Sequence, residues 1–243
     1  MAVLHYVRMF AYTATIVVHV TNIAYMIAAH DLKTHEDENV RIFGSLQFRY
    51  FTCWNFFLQI VFSITGLTSD YLELKNQKNK TYAVPRYLRG FRETLFSGVL
   101  WPSTFLVFTL FWTLFLYDRE LILPPFVDKV LTRTSNHIIH TFIVPVVLWE
   151  IVFRPRNVPK NHRKNILHLV FHMMLYLSVL LYTYYERGIW IYPIFKILYK
   201  TIYFPVLILI IVFACLGFYH MQWIIVRILW NKETSKRKTK KIS

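Results

Sequence analysis

Residues Asn136-His137-Ile138-Ile139-His140-Thr141-Phe142-Ile143-Val144-Pro145-Val146-Val147-Leu148-Trp149-Glu150-Ile151-Val152-Phe153 form one largely apolar run. It is long enough to cross a bilayer, whose hydrocarbon core takes about 17–25 helical residues. The run opens on polar groups. Ionisable groups are costly in such a segment, so they face the protein interior and often mark function. His137 and His140 are three residues apart and Asn136 lies four before His140, which puts all three on one face of a helix. A polar cluster at the mouth of a membrane helix is a candidate active site.

Working outward, five further runs have the same character: Met9–Ala29, Tyr50–Gly66, Leu95–Tyr117, Ile166–Tyr185 and Tyr203–Leu229. The chain has 243 residues, of which 56% are hydrophobic and only six are glycine, which argues against a loop-rich β protein. These features predict an all-α, polytopic membrane bundle of about six helices. It forms a single domain over residues 1–230, followed by a basic, disordered tail over 231–243. The first run follows Arg8 as a signal peptide would. It is longer than the usual signal core and carries His19, Thr21 and Asn22, so it reads as a bundle helix.

The formal charge is +15, and its distribution points to a membrane. With six spans, the N-terminus, the connectors Lys75–Arg92 and Arg154–Lys164 and the tail share one side. That side holds twice the Lys and Arg of the connectors Lys33–Arg49, Arg119–Arg133 and Arg187–Lys200. The positive-inside bias places both termini in the cytosol, and nucleic acid is not an expected partner. The sequon Asn79-Lys80-Thr81 then faces the cytosol and stays unmodified. The tail ends in Lys240-Lys241-Ile242-Ser243, which resembles a dilysine retrieval signal. The endoplasmic reticulum is the expected location, with the plasma membrane as the alternative.

Inside the spans, Thr52, Asn55, Gln59 and Ser63 are spaced three, four and four, one stripe on a helix. Such residues serve as interhelical hydrogen-bond glue, or as chemistry. Thr52 lies in the first turn of the second span and His140 in the second turn of the fourth, and both spans begin on the same side. At about 1.5 Å per residue the two share a depth. A hydroxyl and an imidazole at matched depth have the makings of a nucleophile–base pair. His168 and His172 are four apart, a spacing that could hold a metal or haem. The adjacent His-His pairs of the membrane di-iron enzymes are absent, and the expectation is no metal and no cofactor. Cys53 and Cys215 form neither a disulfide framework nor a zinc site. Glu150 lies about 15 Å beyond His140, so Arg154, one turn on, is its expected partner.

These residues resemble the androgen-induced family of six-span membrane threonine hydrolases, in particular its branch of androgen-dependent regulators of tissue factor pathway inhibitor. The likeness rests on Arg49-Tyr50-Phe51-Thr52 with Leu58-Gln59, Phe91-Arg92-Glu93, Trp101-Pro102-Ser103-Thr104-Phe105 and Phe111-Trp112. It continues through Tyr117-Asp118-Arg119-Glu120-Leu121-Ile122, Asn136-His137 with His140-Thr141, Arg154-Pro155 and Trp190-Ile191-Tyr192-Pro193. The chain departs from the family pattern at Leu123-Pro124 and Thr132-Arg133-Thr134-Ser135, which flank the mouth of the fourth span. The resemblance implies hydrolysis of fatty acid esters of hydroxy fatty acids that arrive from the bilayer. Thr52 would be the nucleophile and His140 its base, with Asn136, His137, Asn55 and Gln59 in support. The competing readings are a non-enzymatic lipid-binding or regulatory scaffold, and a His-ligated redox protein.

Overall fold

The structure is a computed structural model and describes residues 2–29, 32–79 and 81–239. Those residues form helices and loops without strands, and six helical segments are long and apolar enough to span a membrane. The elements are α1 (Ala2–Ala29), α2 (Glu38–Ser45), α3 (Phe51–Lys75), α4 (Arg86–Thr94), α5 (Trp101–Asp118), α6 (Arg133–His140), α7 (Ile143–Phe153), α8 (Arg163–Arg187), α9 (Pro193–Leu198) and α10 (Tyr203–Thr239). The helix of the last span thus continues through 231–239, part of the expected tail, while the dilysine lies outside the described residues.

Two prolines shape the spans. Proline has no N–H to donate, and its ring pushes against the carbonyl four residues earlier. Ahead of Pro102 the chain widens into a π turn over Leu95–Leu100, which joins α4 to α5. The third span is therefore longer than its apolar run, with amphipathic α4 prefixed to it. Ahead of Pro145 the fourth span breaks between α6 and α7. There the His137 carbonyl accepts from both Thr141 N at 2.8 Å and Phe142 N at 2.9 Å. A wide turn of this kind is a known companion of functional sites.

The interior is aromatic and aliphatic. Phe62, Phe96, Leu100, Trp101, Ile143, Val147, Ile151, Leu169 and Tyr219 are buried where α3, α5, α7, α8 and α10 meet. Phe10, Val17, Phe171, Phe213 and Ile228 are exposed on the outer faces, as side chains that meet lipid should be. Gly98 lets α8 come close, since a Cβ there would stand 3.1 Å from the Asn165 carbonyl oxygen.

At the end of the bundle that carries the N-terminus, charges are locked inside. Arg8 donates to both oxygens of Asp70 at 2.8 and 2.9 Å, tying α1 to α3. Glu150 of α7 accepts from Arg156 at 2.9 Å, from Arg92 of α4 at 3.2 Å and from the Tyr12 hydroxyl. Arg154, the expected partner, is 3.9 Å away and lies 3.5 Å from Asp70 as well. Spacing along one helix suggested Arg154. The shorter contacts come from other segments, which helical periodicity does not register.

Candidate active site

Thr52 and His140 meet near the opposite end of the bundle. Tyr50 offers α3 no side-chain cap, and the N–H of Phe51 finds its acceptors elsewhere. It donates to the hydroxyls of Tyr192 at 3.0 Å and Tyr176 at 3.2 Å. A helix start leaves such N–H groups without intrahelical acceptors, and here tyrosines from α8 and the α8–α9 connection supply them. This fixes the first turn of α3, which carries Thr52. On the other side, the Thr132 hydroxyl caps α6 by accepting from Ser135 N at 3.1 Å.

The Thr52 Oγ1 stands 3.4 Å from His140 Nε2. That is at the long end for a hydrogen bond, as pairs without a bound substrate often are. The opposite nitrogen, Nδ1, faces the Asn136 side-chain oxygen at 2.8 Å and the Asn136 carbonyl at 3.2 Å. A backbone carbonyl only accepts, so Nδ1 carries the proton in the neutral ring and Nε2 presents its lone pair to Thr52. The imidazole is also clamped face to face on Phe111, with centroids 3.5 Å apart and planes 5° off parallel. Ring position, tautomer and facing are all set by the protein.

The other residues singled out in the sequence go to different places. His137, one row round the helix, is exposed, stacks on Trp112 and lies 3.1 Å from the Thr141 hydroxyl. Asn55 accepts from Thr104 at 3.0 Å, and Gln59 donates to the Ile143 carbonyl at 2.8 Å. The Gln59 side-chain oxygen faces His19 Nε2 at 2.9 Å. These contacts join α1, α3, α5 and α7 one and two turns below Thr52. In the loops, Arg119 pairs with Asp128 at 2.7 Å, while Asp118 caps its own turn through Glu120 N.

His168 bonds the Lys164 carbonyl at 2.7 Å, and His172 packs against Phe51 and Trp54. Among the described residues, the one cluster with ligand-like spacing is His5, Asp70 and Glu73. The Arg8 guanidinium already fills it, which is a poor setting for a cation. Both cysteines are free.

Thr52 and His140 open onto a cavity of about 690 Å³. One wall comes from the cluster that includes Phe111, Leu123, Phe126 and Leu131, the other from Leu177, Leu180, Trp190, Ile194 and Leu207. Tyr192 also lines it, with its hydroxyl on the N–H of Phe51, the residue before Thr52. Burial pushes the Tyr192 phenol up to about 12, so it stays protonated at neutral pH. Sequence reading marked Tyr192 as part of a motif and gave it no role; a polar residue in an aromatic connector between spans was the available signal.

A sequence profile of the FAR-17a/AIG1-like proteins matches residues 9–226. The chain belongs to this family. The human androgen-dependent TFPI-regulating protein is 36% identical over 149 residues, 61% of this chain and 63% of that protein. The mouse protein of the same name is 33% identical over 147 residues, 60% of this chain and 62% of its own length. The human androgen-induced gene 1 protein is 22% identical over 148 residues, with shares of 60% and 62%. The chain thus spans somewhat under two thirds of the curated family members it matches. No solved structure matches it. As a FAR-17a/AIG1-like protein with six candidate spans, it is an integral, multi-pass membrane protein.

Proposed function

We propose that this protein is an intramembrane lipid ester hydrolase that cleaves fatty acid esters of hydroxy fatty acids. The observation that carries this reading is the Thr52–His140–Asn136 alignment, whose threonine and histidine line an apolar cavity. A threonine hydroxyl is a weak nucleophile until a neighbouring base takes its proton. His140 Nε2 is positioned and unprotonated on the side that faces Thr52, and Asn136 holds the tautomer that keeps it so.

The reaction runs in two halves. Thr52 Oγ1 attacks the ester carbonyl while its proton moves to His140 Nε2. The tetrahedral intermediate collapses to an acyl-threonine, and His140 gives the proton to the departing hydroxy fatty acid. Water, deprotonated by His140, then attacks the acyl-threonine; the fatty acid leaves and Thr52 recovers its proton. The two apolar walls suit the two chains of such a branched ester, which reaches the site sideways from the bilayer without crossing water. No metal or cofactor takes part. The proposed placement is in an intracellular membrane such as the endoplasmic reticulum, with both ends of the bundle's chain on the cytosolic side, on the strength of the charge bias.

A second reading has two observations in its favour. Asn55, Gln59, Thr104 and His19 bond to one another or to backbone across helices, as packing glue does. The names of the relatives in the androgen-dependent branch also speak of regulating TFPI. On that reading the stripe only holds a regulatory scaffold together. Ester hydrolysis in membranes that contain wild type, Thr52→Ala, Thr52→Ser or His140→Ala at matched abundance separates the two. Turnover and fluorophosphonate labelling lost in both alanine variants support the hydrolase. Equal turnover in all four, or none above empty membranes, leaves the scaffold.

A further inference from the structure

We infer that the Tyr192 hydroxyl is the oxyanion donor of this site, polarising the ester carbonyl as Thr52 attacks it. The inference rests on the hydrolase reading and adds a group that touches the substrate. Its basis is a count of protons around one oxygen. Tyr192 Oη accepts from the Phe51 N–H at 3.0 Å and from the Tyr176 hydroxyl at 3.3 Å. A phenol oxygen accepts at two positions and donates at one. Both accepting positions are filled by these donors, so the Tyr192 proton is left for another acceptor, and Tyr192 and Thr52 both line the cavity.

The position suits the chemistry. When Thr52 Oγ1 bonds to the carbonyl carbon, the oxyanion forms two bonds away from Oγ1, and the Tyr192 hydroxyl is held at the N–H of Phe51, the residue before Thr52, in the lining of the same cavity. Catalysis gains most from donors aimed where charge develops and fixed beforehand. Tyr192 is fixed: Tyr50 meets its ring edge-on at 5.6 Å, and Pro193 starts α9 directly after it. The two donors behind it draw electron density from its oxygen and make its own O–H a stronger donor. A phenol that stays un-ionised at neutral pH gives a hydrogen bond to the oxyanion and keeps its proton. The Thr52 proton goes to His140 and then to the leaving alcohol, so Tyr192 enters no proton balance. The Thr52 N–H, in the first turn of α3 where a helix supplies no acceptor, faces the same demand for a partner.

Full-length protein in lipid nanodiscs, with a branched fatty acid ester as substrate, tests this through Tyr192→Phe, Tyr176→Phe and Thr52→Ala. Tyr192→Phe keeps the ring, and the Phe51 N–H retains Tyr176 as acceptor. Loss of one oxyanion donor costs on the order of 100-fold or more in kcat, with KM within about threefold because the uncharged ester gains little from that bond. Tyr176→Phe removes a supporting donor only, and its kcat falls far less. Should Tyr192→Phe fold poorly, 3,5-difluorotyrosine at position 192 preserves the shape with a more acidic hydroxyl. Its kcat then declines at a lower pH than in wild type, as the donor ionises.

Wild-type kcat in Tyr192→Phe overturns the inference. So do equal losses in the two phenylalanine variants accompanied by equal drops in melting temperature, or an unchanged pH profile with difluorotyrosine. A wild type without turnover and without Thr52-dependent fluorophosphonate labelling removes the hydrolase reading itself, and this inference with it. Activity lost in Thr52→Ala but kept in Tyr192→Phe removes this inference alone.

Discussion

Replacing Glu150 by Gln should destabilise the bundle more than any surface charge change. The side chain keeps its shape and can still accept hydrogen bonds, so the perturbation is one missing charge. Glu150 is 1% exposed and its partner Arg92 is 0% exposed, with N–O separations of 2.9 Å to Arg156 and 3.2 Å to Arg92. Without the carboxylate, Arg92 and Arg156 share the remaining Asp70 and Glu93, at 3.9 and 2.9 Å. Breaking a buried pair by removing one partner costs about 3–5 kcal/mol, chiefly through the charge left behind. A chain of this size shifts its Tm by roughly 2–4 °C per kcal/mol, so a fall of about 6–20 °C is expected.

The assay is thermal unfolding in nanodiscs, followed by tryptophan emission. Asp37→Asn is the control, because Asp37 pairs with Lys129 at the surface and asparagine still caps α2. Exposed pairs contribute little, and the control should stay within about 2 °C of wild type. A Glu150→Gln protein that melts with the control would refute the idea that the buried cluster holds α1, α3, α4 and α7 together.

Two glycines should respond with opposite signs. A Cβ on Gly66 would stand 2.8 Å from the Tyr12 ring, which Glu150 and Arg92 hold in place, so Gly66→Ala should cost about 1–3 kcal/mol by overpacking. Gly90 has nothing within 4 Å and sits inside α4, so Gly90→Ala should stabilise by about 0.5–1 kcal/mol. Unfolding curves check both, and equal signs would reject the reasoning. Pro145→Ala restores the missing N–H opposite the Thr141 carbonyl and lets α6 run straight into α7. His140 then shifts from Thr52, and ester turnover should fall about 10- to 100-fold without loss of Tm. Full turnover would show that the break has no part in placing His140.

The readable parts of this protein were those with a period. Apolar length marked the six spans, and a 3.6-residue repeat put Thr52, Asn55, Gln59 and Ser63 on one face of α3, where the last three are buried. The i, i+4 relation of Asn136 to His140 survives as a 2.8 Å contact. Periodicity also assigned His137 to that neighbourhood. One residue's turn of the helix was enough to send it outward to Trp112.

What the sequence by itself determined was class, depth and facing: an all-helical membrane chain, with a threonine and a histidine at one level inside it. Which helices touch was a tertiary decision. In a bilayer the lipid tails are as apolar as leucine, so hydrophobicity says which groups avoid lipid but not which neighbours they choose. Shape and polar pairing make that choice. They brought α3 to α6 so that Thr52 faces His140, and they gave Glu150 to Arg92 and Arg156. They also carried Tyr192, 141 positions along the chain, to the N–H of Phe51. Each of these contacts satisfies a group that lipid cannot, and only the folded bundle determines which partner does so.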